Sequence, residues 1–379
     1  MKLLQTLLSP SLAWRDFAGD LDPASAHLVL TFGLRQAIDS PEVLAALRSR
    51  FPGARQVLVS TAGNFADTEI RDDGLVCTAL RLESSKLRSV AGRFSPGDDL
   101  RALCRDLNEQ LREPDLRHVL VFSDGGLVNG TVLSEAFNAF LPPGVTLSGG
   151  LAGDGTDFAR TLVGLDEVPV PGVIVAIGLY GDSLRIGFGT AGGWSSFGPV
   201  RTVTGSSGNI LHSLDDRPAL EIYKTYLGSE AGSLPGAALR FPLCVTAPGQ
   251  PNPVVRTILS IDEASGSMTF AGDIPVGSSA RFMRASYEDL ISGAEEAARQ
   301  AAQQAELVLC VSCVGRRIVL GQRTEEELEG VRQAFGPKPV LTGFYSYGEL
   351  APSGRSLACQ LHNQTMTITS FAEIVRPLT

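Results

Sequence analysis

Three stretches of this chain follow one plan, and that repeat limits the fold more than any other feature. The first reads HLVLTF, then SPEVLAALRSRF, then QVLVSTAGNF. The second reads HVLVFSDGG, then TVLSEAFNAF, then VTLSGGLAGDG, and the third LVLCVSCVGRR, then TEEELEGVRQAF, then PVLTGFYSYGE. Each is strand, loop, helix, strand and a glycine-rich turn. Internal similarity of this kind decides an architecture before single elements do. Short Val- and Leu-rich runs separated by helical patterns imply parallel strands in an α/β fold. Local signals agree. Ser40-Pro41 is a helix N-cap with proline at the first helical position. Thr324 with Glu327 has the spacing of a capping box, followed by Leu328, Val331 and Phe335 at helical intervals. In 287–305, Tyr287, Leu290, Ile291, Ala294, Ala298, Ala301 and Ala305 form one stripe of a long helix.

Between the units the pattern changes. GVIVAIGLYGDSLRIGFGTAGGW reads as a hairpin, two strands joined by a Gly-Asp turn, and later segments read as meanders with Gly, Asp and Ser turns. The proline-rich stretch 235–253 reads as surface loop. The fold class expected is therefore α/β, with mixed β-sheets, repeated strand-loop-helix-strand units and flanking helices. The chain divides near residue 216, into domains 1–216 and 217–379.

Composition narrows the function. The 379 residues carry a net charge of −9, and no Lys- and Arg-rich patch interleaves with aromatics, so nucleic acid is not an expected partner. The longest apolar run, about Val173 to Tyr180, is too short to span a bilayer. In the opening MKLLQTLLSPSLAW, Gln5, Ser9 and Pro10 interrupt the leucines, and no small-residue cleavage site follows. Six cysteines in a chain this long do not read as a disulfide framework. A cytoplasmic protein with reduced thiols is expected.

In parallel α/β sheets, ligands bind beyond the carboxyl ends of the strands. In the repeats those ends are FSDGG and CVSCVGRR after first strands, and TAGNF, GLAGDG and YSYGE after second strands. The third unit holds the richest chemistry. Arg316 or Arg317 offers a fork for a carboxylate, Glu349 offers an acid for an ammonium, and Phe344, Tyr345 and Tyr347 offer a wall. Glu349 can equally form a structural salt bridge with either arginine. Gly343 and Gly348 flank the aromatic run, and Asp154 occupies the matching turn of the second unit.

STAGNF, FGPVRTVTGSSGNILHSLDDRPALEIYKTYLG, FAGDIPVGS, SCVGRR, LTGFYSYGE and LHNQT, in this order, resemble FIST-domain proteins over nearly the whole chain, as an N-terminal and a C-terminal FIST domain. STAGNF departs from the pattern, with Asn64 where an acid is expected. The resemblance implies a bacterial sensory domain that binds a small ligand, proposed to be an amino acid, for signal transduction through a partner such as a sensor kinase. Some members are described as haem proteins sensing nitric oxide. With no residues left over for an output domain, a stand-alone module is expected.

Cys310 and Cys313 lie three apart on a strand and so face opposite ways, which argues against a redox dithiol. Cys310 is then core. Cys313, beside Gly315, Arg316 and Arg317, is either a partly ionised thiol or a small buried hydrophobe. A cysteine hydrolase of Cys313 with His362 and Asn363 is the enzymatic alternative, and it needs an imidazole within hydrogen-bond reach of the thiol. His362 and Asn363 point to opposite faces, so one of them lines a given cleft. A haem reading needs His27, His118, His212 or His362 as axial ligand. No nucleophile elbow, phosphate loop or zinc spacing is present, and no metal is expected. The candidate ligand site is Cys313, Gly315, Arg316, Arg317, Gly343, Phe344, Tyr345, Tyr347, Gly348, Glu349, Asn363 and Asp154.

Overall fold

The computed structural model describes residues 1–374 apart from 235, 251, 303 and 353–356. The three repeats are three strand-helix-strand units, each with a parallel pair at its centre. Leu28–Leu34 pairs with Arg55–Thr61, Leu116–Ser123 with Thr146–Leu151, and Leu307–Cys313 with Val340–Ser346. Every first strand is flanked by an antiparallel neighbour, Leu75–Arg81, Val173–Tyr180 and Met366–Glu373 respectively. Gly63, Gly153 and Gly348 each fall two residues past the end of the second strand of their unit.

The units are interlocked by strand exchange. Asn64–Ala66 of the first unit pairs with Val340–Ser346 of the third. Gly348–Pro352 of the third pairs with Thr146–Leu151 of the second. Val163–Leu165, which follows the second unit, pairs with Arg55–Thr61 of the first. The result is a cyclic pseudo-threefold body. Its axis is filled by one buried ring from each unit: Phe32 and Phe344 stack at 4.8 Å, and Phe122 stands 5.8 and 6.1 Å from them. Removing one such ring typically costs about 3–5 kcal/mol.

Ser195–Ser207 leaves this body after the edge strand Leu184–Ala191 and opens an inserted lobe that runs to Ser279–Arg284. The lobe is a bent antiparallel sheet wrapped on helix Ala219–Leu227. Val203, Leu214, Tyr223, Phe270 and Phe282 are in its own core. Ser195–Ser207 changes register repeatedly and thereby spans both halves of the bend. Residue 216 falls inside this lobe, between Ile210–Leu214 and Ala219–Leu227.

Ser40 caps helix Pro41–Arg50 as its sequence implies, accepting from Glu42 N and Val43 N. The alanine-striped helix forms over Tyr287–Ala301. Three local expectations are corrected. Val173–Tyr180 and Leu184–Ala191 are not a hairpin; the Gly181-Asp182 turn passes the chain from the second unit's sheet to the third's. The 235–253 stretch contains a strand, Leu243–Thr246, paired to Ser279–Arg284 because Leu243 and Val245 are needed in the lobe core. Thr324 is the first residue of helix Thr324–Phe335 rather than its cap; its hydroxyl donates to Gly321 O, and Glu327 turns inward to Arg316.

Candidate functional site

The carboxyl ends of the third unit's strands are closed by internal partners. Just past Leu307–Cys313, the short helix Val314–Leu320 carries Arg316 into the interior, where it is fully buried. Its Nη2 donates to Glu327 Oε2 (2.7 Å) and Leu290 O (2.8 Å), its Nε to the same carboxylate (3.1 Å), and its Nη1 to Gly192 O (2.7 Å). Glu327 also accepts from Ser312 Oγ (3.1 Å) and Tyr345 OH (2.8 Å). Burial and the adjacent Glu327 carboxylate push the Tyr345 hydroxyl well above the ordinary tyrosine range. Arg317 reaches across to the first unit, donating to Ala62 O (2.6 Å) and pairing with Asp72. Gly63, at a positive φ of 131°, lies against this guanidinium, and a side chain there would collide with it.

Glu349 is likewise occupied. It is fully buried, accepting from Ser346 Oγ (2.7 Å), Thr365 Oγ1 (2.9 Å) and Thr365 N (3.3 Å). Loss of water raises its pKa to about 8, against the smaller opposing effect of these hydrogen bonds. The expectation that Glu349, an arginine and the rings of Phe344 and Tyr345 converge on one ligand is therefore corrected. Arg316 and Tyr345 bind Glu327, Phe344 is on the axis, and Glu349 binds Ser346 and Thr365. Gly343 is required by packing, since a side chain there would meet Cys310 O and the Phe65 ring. Gly315 lies against the Gln364 amide, and Gly348 against Leu361 and Leu151. Asn363 is fully buried, and neither of its side-chain polar atoms has a partner among the described residues.

A cavity of about 320 Å³ opens beside this packed region, between the pseudo-threefold body and the lobe. Gly125 to Gly130 form one wall, directly after strand Leu116–Ser123, and Cys313 and Val314 form its floor. Tyr347 and the loop residues Phe158 to Thr161 make the second wall. The lobe supplies Asn209, Leu239, Thr257, Leu259 and Phe270 to Gly272. Asp154 holds the loop in place: it accepts from Tyr347 OH through one oxygen, and through the other from Ala159 N (3.0 Å) and Arg160 N (2.7 Å). Phe158, at a positive φ of 50°, stacks on Tyr347 with centroids 4.7 Å apart. Of the residues singled out in the sequence, Cys313 and Tyr347 line this cavity, and Asp154 supports it.

Three side chains tie the lobe across the cavity mouth. Arg256 Nη1 donates to Leu361 O (3.0 Å), Asn129 Nδ2 to Asp273 Oδ1 (3.1 Å) and Gln364 Nε2 to Leu239 O (3.1 Å). Thr257 is 4% exposed, and its hydroxyl has no hydrogen-bond partner among the described residues. Thr257, Asn209 and Phe158 were not legible as site residues. Asn209 and Thr257 sit between lobe strands and Phe158 in a loop, and only the fold brings them to the cavity beside FSDGG. The one usable signal was Asn129, whose position before TVLSEAF marks a helix N-cap; it accepts from Thr131 N and Val132 N.

Burial raises the Cys313 thiol far above its ordinary range, with the nearby Glu349 adding to the effect, so the partly ionised thiol is corrected to a protonated one. None of the four histidines is hydrogen-bonded to it. His362 Nε2 lies 3.2 Å from Ala351 O on a separate cleft, and burial lowers its pKa to about 4. His118 is fully buried between Thr146 Oγ1 and Ser148 Oγ, with its pKa lowered to about 3 by burial. His27 and His212 are exposed. No histidine lines the cavity, so its residues do not fit haem held by an axial imidazole. Among the described residues no group of three or more His, Cys, Asp or Glu side chains is placed to hold a metal ion. Among them, too, no helix is long and apolar enough to cross a membrane.

The chain is a pseudo-threefold α/β body with a cavity of about 320 Å³ under an inserted lobe. Residues 27–217 match the FIST N domain and residues 219–352 the FIST C domain, and the chain belongs to the FIST family. FIST domains are associated with sensory signal transduction. The chain is 26% identical over 243 residues to an uncharacterized protein of Mycobacterium bovis, covering 61% of each chain. It is 26% identical over 254 residues to an uncharacterized protein of Mycobacterium tuberculosis, covering 64% of each. The match thus spans less than two thirds of the length of these relatives.

Proposed function

We propose that this protein is a sensor that binds a small metabolite in the cavity between the pseudo-threefold body and the lobe. The observation that carries the reading is the cavity itself. It lies at the carboxyl ends of Leu116–Ser123 and Leu307–Cys313, where α/β sheets bind ligands, and it is closed over by the lobe. Its size is at the lower end of the roughly 300–1,000 Å³ of small-molecule pockets. The association of FIST domains with sensory transduction supports the same reading. A ligand touching both bodies biases how the lobe sits, which is the differential contact a sensor needs. A hydrolase using Cys313 has less support, because the thiol is held protonated with no imidazole beside it.

The test is a thermal-shift screen of metabolites, amino acids included, on the protein and on Gly126→Leu. A Cβ at Gly126 meets no atom closer than 3.7 Å, and its φ is not positive, so a larger side chain is accommodated and occupies the cavity. Ligands that raise the Tm of the parent protein by mass action are expected to lose that effect in the variant. Equal shifts in both proteins locate binding elsewhere and overturn the reading.

A further inference from the structure

The class of ligand follows from the exposed side chains that line the cavity, and it rests on the cavity being the binding site. Large apolar side chains left in water are informative when they gather rather than scatter. Leu127 is 45% exposed, Phe158 50% and Leu259 45%, and all three line this one cavity. They come from separate parts of the chain. Leu127 follows strand Leu116–Ser123, Phe158 is on the loop anchored by Asp154, and Leu259 belongs to lobe strand Ile258–Asp262. Phe158 is held out by its surroundings. Its ring stacks on Tyr347 and its N–H donates to Tyr347 OH (3.2 Å), although its positive φ is unfavourable for a bulky residue. Strain of that kind persists only where surrounding structure holds it. The buried Phe270 and Val314 continue the apolar lining.

The polar side chains of the wall are mostly engaged within the protein. Asn209 Nδ2 donates to Phe270 O (2.8 Å), Thr161 Oγ1 accepts from Gly125 N (2.9 Å), Asn129 caps helix Gly130–Phe140, and the Arg160 guanidinium pairs with Asp39. Charge is not thereby excluded. Arg256 packs against Gly272, where a side chain would meet its Nε at 2.9 Å. Its Nε and Nη1 donate to backbone carbonyls, but its Nη2 has no partner, and no carboxylate pairs with it, among the described residues. An anionic head group is therefore as admissible as a neutral one, and the apolar walls set the rest of the ligand. Exposed apolar side chains also serve protein partners, but stable protein interfaces bury more than roughly 1,000 Å². These three line a cavity of about 320 Å³, the scale of a small molecule. We infer that the cavity takes a small molecule with an apolar body of several carbons, which lies against Leu127, Phe158 and Leu259 and supplies most of the binding.

Titration calorimetry of the whole protein with butanoate, hexanoate and octanoate, and with the three matching amides, tests this. Affinity should climb with chain length in at least one series, by about three- to fourfold per added methylene, the worth of burying one CH₂. Leu127→Ser and Leu259→Ser alter exposed side chains, so the unliganded protein should melt as the parent does. Each should weaken binding of the eight-carbon probe by roughly three- to tenfold. The inference is overturned if neither series binds, if affinity is flat with chain length, or if both serine variants bind the eight-carbon probes as tightly as the parent. Equal binding of those probes to the parent and to Gly126→Leu overturns it as well. A flat series with metabolite shifts still lost in Gly126→Leu would leave the cavity as the binding site and remove only the apolar class of ligand; metabolite shifts insensitive to Gly126→Leu would remove the cavity itself.

Discussion

The third and second repeat units end their strands in the same place and do opposite things there. In the third, Arg316, Glu327, Tyr345 and Glu349 are fully buried, and each is hydrogen-bonded to other groups of the chain. In the second, Gly125 and Gly126 have no side chains to offer, yet they border the open cavity. Charged and aromatic residues at a strand end mark a site only if their valences remain free. Buried ionic groups whose partners are all internal are structure, whatever their chemistry suggests.

The largest test of that contrast pits two arginines against each other. Arg316→Met leaves the Glu327 carboxylate buried without its cation and should cost roughly 3–5 kcal/mol in urea unfolding. Arg160→Met, at the half-exposed cavity rim, should cost within about 1 kcal/mol. Comparable losses would erase the distinction between the closed and open ends.

Glu349 gives the next effect, and it is a function of pH. Its carboxyl titrates near 8 in the folded protein, above the ordinary 4.5. The folded state therefore holds the extra proton between those values, and stability falls as pH rises through that window. Glu349→Gln removes this slope. The buried His118 and His362, whose pKa values are lowered, act the opposite way below about pH 6.5, but they cancel in the difference between the two proteins. Relative to the parent, Glu349→Gln should gain on the order of 2–4 kcal/mol between pH 5 and pH 8 in urea midpoints. A flat difference would mean that Glu349 is ionised and accessible, which would restore it as a group able to meet a ligand.

Much of the fold was legible because its rules are local. The period of each strand and helix, Ser40 before Pro41 and the glycines after second strands are all written within a few residues. The strand exchange was not. Asn64–Ala66 and Val163–Leu165 are three residues long, and their partners lie in other units, so nothing in their own sequence names the sheet they join. The site was half legible for the same reason. The crevice rule pointed to FSDGG and to Cys313, whereas Thr257 reaches them from an inserted lobe. Glu327 misled in the other direction: its spacing from Thr324 fits a capping box, but Arg316 competes for the same carboxylate and wins.

A smaller effect is expected at the hinge of the two regions, Tyr347. Its ring packs in the interior while its hydroxyl donates to Asp154 and accepts from Phe158 N (3.2 Å). Tyr347→Phe should cost about 1–2 kcal/mol. Amide exchange should quicken mainly over 154–161, the loop that Asp154 anchors. Uniform loss of protection across the three sheets would show the hydroxyl to be a global rather than a loop contact.

The smallest effect carries an unusual sign. Most core substitutions destabilise, but Thr257→Val exchanges a buried, unpartnered hydroxyl for a methyl group of nearly the same volume, in an extended segment between two lobe strands where a β-branched residue is already favoured. An unsatisfied buried hydroxyl is a net cost, so the unliganded variant should match the parent or exceed it by up to about 1 kcal/mol in urea unfolding. A stability loss beyond about 1 kcal/mol would instead show that the Thr257 hydroxyl is satisfied within the fold.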